Sequence, residues 1–296
     1  MKITNNRNLP DIILRAVQND PYSRGKSDIS VTQLINPPQQ VALQHLHKEE
    51  LIEDVADRIY ALLGSSVHHM IERAAGPDDR VEERIFAKVH GWTVSGQFDL
   101  LEPDGTLSDV KVTSVWSIKD AIKHGKSDWE SQLNLLAELL DMEGECPSRL
   151  QIIAIARDWS KTGRMRDKDY PGQVELIPIE LWEKEKRRAY LEERVDLHQR
   201  ARKGDYDRCT MEETWAKPDK YAVMKEGRKS ALRLLDSLSA AGKWCVDNNH
   251  GSFLSRFGDE VRFIPDKGIS IERRQGEATR CEYYCNVRDY CSQYSV

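Results

Sequence analysis

The stretch GQFDLLEPDGTLSDVKVTS, residues 96–114, constrains the chain more than any other. Apolar and β-branched residues on either side of EPDG predict two strands joined by a turn, with Gly105 free to take a positive φ. Strand side chains alternate between faces, so Leu107, Asp109, Lys111 and Thr113 share one face and Val110 and Val112 the other. Asp99 ends the preceding strand, and hairpin pairing brings it toward Asp109. A carboxylate is costly to bury alone, and two placed close together repel. A divalent cation resolves both problems. Magnesium takes oxygen ligands and keeps several waters, so Asp99, Asp109, a backbone carbonyl such as that of Val110, and water would satisfy it. Lys111 then reaches the attacking water or a phosphate oxygen. The chemistry expected is metal-assisted hydrolysis of a phosphodiester. A D-x-K tripeptide also occurs as a solvated surface pair of little consequence, so its surroundings must decide.

The surroundings read as α/β. Leu51, Val55, Ile59, Leu62 and Leu63 predict a helix within 46–75, with Gly64 and Ser65 as a potential break. A short helix in DISVTQL stops at Pro37 and Pro38. RIFAKVHGWTVSGQFDLL predicts two strands, LQIIAIAR a buried strand and VELIPIE another. Ser127 is placed to cap a helix through Leu140, and 180–203 reads as a charged helix with a solvated face. The expectation is a mixed central sheet flanked by helices over residues 1–205. A cysteine-rich, helical region, 206–296, is expected to pack back on it. The formal net charge of −5 argues against a protein that coats nucleic acid over its whole surface, so any such binding needs a local patch. No apolar run approaches a membrane span, and the first residues lack a signal-peptide core, so a cytoplasmic protein is expected.

The order of motifs resembles the PD-(D/E)XK nuclease superfamily, and more narrowly its RecB-like branch of AddB-type, CRISPR-associated and phage exonucleases. The similarity spans Asp28 to Arg157. It comprises S-x-x-x-L in SVTQL, G-x-x-x-H at Gly64 and His68, G-x-x-D at Gly96 and Asp99, and D-x-K at Asp109 and Lys111. A following helix carries Gln132, while the family's Tyr four residues later is Leu136 here. The resemblance implies a restriction-endonuclease-like core. It implies a divalent-metal-dependent DNA nuclease, an exonuclease at DNA ends or on single strands, in a bacterial or phage-infected cell. Asp99 and Asp109 would hold the metal, His68 would add a nitrogen ligand that makes manganese attractive beside magnesium, Lys111 would stabilise charge and Gln132 would position nucleotide or water. Glu72, four residues after His68, and Glu83 (or Glu82) are candidates for supporting acids. A homo-oligomer or a recombination partner protein would fit the same role. The alternative is a nucleic-acid-binding or assembly protein with a vestigial nuclease centre and a structural cluster.

Near the C-terminus, Cys281, Cys285 and Cys291 are spaced C-x3-C-x5-C. A structural metal site needs four ligands. The resemblance implies a [4Fe–4S] cluster, although the family's fourth cysteine precedes the histidine helix and here none occurs before Cys146. Cys209, which opens the same region, is the first choice, with Cys245 and Cys146 as alternatives. Structural zinc, or plain reduced thiols, remain the other readings.

Overall fold

In the computed structural model, residues 2–19, 25–255 and 261–294 are described. The chain divides into two compact units, Met1–Asp207 and Arg208–Val296. No described helix is long and apolar enough to cross a membrane.

The first unit runs β1 (Lys2–Thr4), α1 (Asp11–Gln18), β2 (Ile29–Ser30), α2 (Val31–Leu34), α3 (Pro38–Leu46), β3 (Ile52–Asp54) and α4 (Ile59–Ala74). It continues β4 (Arg80–Val89), β5 (Trp92–Leu101), β6 (Thr106–Thr113), α5 (Val115–His124), α6 (Ser127–Glu143), β7 (Arg149–Ala156), α7 (Lys161–Arg166), β8 (Val174–Ile179) and α8 (Lys184–Arg202). It is a mixed α/β unit with a six-stranded sheet. The strands run in the order β2-β5-β6-β7-β8, and β4 pairs with β5. The β6–β7 pair is parallel, joined through α5 and α6; β5–β6 and β7–β8 are antiparallel.

One edge of β5 is divided. β4 pairs along β5 from Trp92 to Leu101 and takes one edge. β2 bonds Val94 and Ser95, and β6 bonds Leu100 and Leu101, on the other edge. Residues 96–99 therefore lie in the gap between β2 and β6. Gly96 is required there for packing. A Cβ would stand 2.5 Å from Leu136 Cδ2 and 3.1 Å from Leu139 Cδ1, so its absence lets α6 lie close on the sheet. Helix α6 is buried on nearly every side, through Trp129, Leu133, Leu135, Leu136, Leu139 and Leu140, as expected of a helix enclosed in a core. Ser30 joins β2 to α2 by a capping box. Its hydroxyl accepts from Gln33 N at 3.3 Å, while its own N–H donates to Gln33 Oε1 at 3.2 Å. Leu34, four residues on, enters the core fully buried.

Several sequence expectations are corrected. The helix expected over 46–75 begins only at Ile59, because Ile52–Asp54 pairs as a strand with Lys2–Thr4, and it runs through Gly64 without a break. Pro38 begins α3 instead of ending a helix, since a first-turn N–H needs no partner. Ser127 is inside α6, whose N-cap is Lys126. The charged helix α8 is not merely a solvated face. Buried Arg187 reaches Glu138 at 3.3 Å and Asp141 at 2.9 Å, and Arg194 donates to Leu34 O and Asn36 O at 2.7 Å.

The second unit is not mainly helical. β9 (Lys220–Lys225) lies between β10 (Arg233–Leu235) and β13 (Ile269–Arg274), and β11 (Gly251–Ser255) pairs with β12 (Val261–Pro265). Its helices are α9 (Leu238–Asp247) and the short α10 (Thr279–Tyr283). Val223, Ala241, Cys245 and Ile269 form its apolar cluster. The helical pattern of KEGRKSALRLLDSLSAAGKW holds only for its last half, because Arg233–Leu235 pairs with β9.

Candidate metal centre and catalytic cleft

The gap on the edge of β5 opens into a cleft of about 600 Å³. Its walls include Gly64, His68 and Glu72 of α4, Glu82 of β4, Asp99 of β5, Asp109 and Lys111 of β6, and Gln132 of α6. Residues separated by some 70 positions in sequence thus converge because α4 and α6 meet the same strand edge.

Asp99 is only 9% exposed and lies where the β5–β6 ladder stops. Its Oδ2 accepts from Val110 N–H at 2.6 Å, taking the place of a ladder bond. A strand residue's N–H and C=O leave on the same edge, so the Val110 carbonyl also faces this gap. Burial, then the neighbouring Asp109 charge, raises the Asp99 pKa to about 7. A cation held between the two carboxylates would relieve that strain.

His68 Nδ1 lies 2.8 Å from Glu82 Oε1 and 3.5 Å from Asp99 Oδ1. The Glu82 hydrogen bond, against burial and with help from Asp99, raises the His68 pKa. His68, Glu82 and Asp99 form a group whose ligand atoms all lie within 4.8 Å of one another. Glu82 stands directly across the antiparallel ladder from Asp99, between the Val81–Leu100 and Glu83–Phe98 pairs. Its φ of 52° is a left-handed conformation in mid-strand, a costly backbone of the kind that clusters at functional sites. Gln97 steadies it, donating through Nε2 to Glu82 Oε2 at 2.8 Å and to its backbone oxygen at 3.2 Å.

Asp109, 3% exposed, faces the other side of the cleft. Lys111 Nζ bonds its Oδ1 at 3.0 Å and Gln132 Oε1 at 3.1 Å, and Gln132 Nε2 donates to the same Oδ1 at 3.0 Å. Burial alone would lower the Lys111 pKa, but the Asp109 carboxylate outweighs it and the pKa is raised. Asp109 Oδ2 is also buried, with the Lys111 ammonium 2.8 Å away. A buried carboxylate close to a second one in the same cleft is the kind of group a metal ion would satisfy.

The structure thus gathers His68, Asp99, Asp109, Lys111 and Gln132 around one cleft, with the Val110 N–H bonded to Asp99. It places Glu83 elsewhere, since that carboxylate pairs with Arg80 Nε at 2.9 Å. Glu72 lines the cleft but bonds His69 Nδ1 at 3.2 Å, and the acid beside His68 is Glu82. Sequence reasoning could not separate Glu82 from Glu83, because adjacent strand residues differ only in which face they occupy. Gln97 gave no sequence signal beyond its place in the G-x-x-D stretch.

All six cysteines of the chain are free thiols, five of them in the second unit. Burial, then Glu213, then Cys291, Cys281 and Cys285 push the Cys209 pKa up to about 12. Burial and Cys285 likewise raise Cys281. Gln293 ties the two ends of the segment together, accepting from Cys209 N and donating to Cys209 O, both at 2.8 Å. Among the described residues, no three of these sulfurs lie within 4.8 Å of one another. Cys245 is instead buried in the apolar cluster, and Cys146 is exposed in the first unit.

No protein-family model matches the chain. No curated protein matches it either. Among solved structures, SSO0001 is similar at 14% identity and TM-score 0.44, over 64% of this chain and 85% of that one. An alkaline exonuclease from Laribacter hongkongensis is similar at 12% identity and TM-score 0.31, over 59% of this chain and 91% of that one.

Proposed function

We propose that the chain is a divalent-metal-dependent DNA nuclease of the PD-(D/E)XK superfamily, RecB-like branch, acting as an exonuclease on DNA ends or single strands in recombination, repair or phage DNA processing. One observation carries the reading. The buried Asp109 carboxylate, paired with the Lys111 ammonium at 2.8 Å, faces the same cleft as the His68–Glu82–Asp99 group. His68, Glu82, Asp99, Asp109 and the Val110 carbonyl would hold magnesium or manganese. Such an ion, when bound, supplies Lewis acidity to a phosphodiester and acidifies water. Lys111 places a fixed positive charge where a pentacovalent phosphate gains negative charge. Gln132 holds the Asp109 carboxylate and the Lys111 ammonium in register, so neither reorganises during the reaction.

The test is cleavage of end-labelled single-stranded and duplex DNA with chelator, magnesium or manganese. Lys111→Ala and Asp109→Asn should each lose activity by about 100-fold or more, the usual loss when one preorganised charge partner is removed. Near-wild-type turnover by either folded variant sinks the assignment.

The reading extends to Cys209, Cys281, Cys285 and Cys291 as ligands of a [4Fe–4S] cluster in the second unit. Tetrahedral zinc, with bonds of about 2.3 Å, needs sulfurs roughly 3.8 Å apart. Anaerobically purified protein should be brown and contain iron. Cys209→Ser should lose both, as should a Ser at any of the other three positions, while Cys146→Ser stays unchanged. Colourless protein with one zinc would reject the cluster.

A further inference from the structure

Two aromatic–cation pairs lie beyond the cleft, at the end of β6. Tyr60, Gly64 and His68 follow one another at four-residue spacing along α4, so they form a single ridge. Gly64 and His68 line the cleft, and Tyr60 continues the ridge one turn outward. Arg157 stacks its guanidinium on Tyr60, 3.9 Å from the ring centroid. Its backbone N–H donates to Thr113 O at 2.9 Å. Thr113 shares the face of Lys111 two residues further along β6, about 7 Å by strand rise. The Tyr60–Arg157 pair therefore stands just past the Lys111 end of the cleft.

The second pair flanks the same end. Trp116 sits in the first turn of α5, immediately after β6, and is 71% exposed. Lys126 Nζ lies 6.0 Å from the Trp116 ring centroid and 5.1 Å from that of Trp129, and it bonds Ser117 Oγ at 2.8 Å. Gln132, in the second turn of α6, lines the cleft, so the start of this helix borders it as well.

Both aromatic rings are largely exposed, Tyr60 to 61% and Trp116 to 71%. Among the described residues neither Arg157 nor Lys126 forms an ion pair with a carboxylate, whereas nearby Lys119 is paired with Asp167. Exposed aromatic rings beside unpaired cations are what unpaired nucleotides require: a π-face for each base and a cation for the phosphate. A duplex keeps its base faces stacked inside and offers the rings nothing.

We propose that Tyr60–Arg157 and Trp116–Lys126 form a stacking rim that holds single-stranded DNA as it enters the cleft. The inference rests on the nuclease reading of that cleft and narrows it to an unpaired strand. The test uses the full chain in chelator, with fluorescent oligothymidylate and a blunt duplex read by anisotropy across a salt series. Trp116→Ala and Tyr60→Ala should each weaken oligothymidylate binding about tenfold and leave duplex binding unchanged. Trp116→Phe should bind as wild type. Arg157→Gln should reduce the salt slope for oligothymidylate by about 0.7, the contribution of one phosphate contact on a single strand. Wild-type oligothymidylate affinity in both alanine variants, or an equal loss for duplex, overturns the proposal. Cleavage with manganese, run in parallel, reads the metal centre separately. Absent cleavage with stacking-dependent binding would sink the nuclease reading alone, and intact cleavage with no stacking dependence would sink the rim alone.

Discussion

Glu82→Gln separates a metal ligand from a structural acid by whether its effect depends on metal. In the metal-free protein Glu82 adds negative charge to a cluster that already holds Asp99 and Asp109, with Asp99 raised to about 7 by burial and by its neighbour. The amide can still accept from Gln97 Nε2, now at 2.8 Å from Glu82 Oε2, and it keeps the same left-handed backbone. Removing the charge relieves that repulsion but also gives up the His68 pairing at 2.8 Å, so the melting temperature in chelator should change little. The metal-loaded protein should lose stability. Losing one anionic ligand beside His68 should weaken manganese affinity about 30-fold, within the range seen when groups orienting a metal site are removed. At a manganese concentration about 100 times the wild-type Kd, binding stabilises the wild type by about 2.7 kcal/mol. The variant then gains only about 0.9 kcal/mol. A gap near 2 kcal/mol corresponds to roughly 4–8 °C for a unit of this size. Thermal melts with and without manganese measure both quantities. A lowered melting temperature in chelator together with the full manganese shift would refute the ligand role and leave Glu82 a structural acid.

Other outcomes follow from the same geometry. His68→Ala should reduce manganese-supported cleavage more than magnesium-supported cleavage, since the imidazole favours the softer ion; a metal titration of activity decides it, and a variant that simply unfolds rejects the ligand role. Burial, with Arg194 nearby, lowers the His198 pKa to about 4, so this histidine is neutral when folded and protonates when unfolded. Its contribution is fully present above about pH 6.5 and is lost as pH falls toward 4, on the order of 3 kcal/mol. Denaturant melts between pH 7 and 4 should show a smaller acid loss in His198→Gln than in wild type. Gly96→Ala should destabilise the first unit by about 1–3 kcal/mol, because its Cβ would meet Leu136 at 2.5 Å; an unchanged melt would mean that α6 moves freely.

The residue pattern by itself determined the local elements of the site. Period-two alternation marked β4, β5 and β6, and it put Asp109 and Lys111 on one face before any tertiary contact was known. The G-x-x-D and G-x-x-x-H spacings singled out Asp99 and His68 in the same way, and the C-x3-C-x5-C spacing marked the thiols. Such features repeat along the chain and are written in neighbouring residues. What only the tertiary structure decided is non-local. Helix α8 looked solvated until Arg187 was seen to neutralise Glu138 inside the core. Glu82 became the partner of His68, in place of Glu72 or Glu83, because α4 meets the sheet where β4 crosses Asp99. The divided edge of β5 arises from pairing with β2 and β6, strands some 80 residues apart, and that gap exposes the Asp99 carboxylate to the cleft. Proximity between remote segments of this kind is set by packing and strand pairing, which no local pattern of residues encodes.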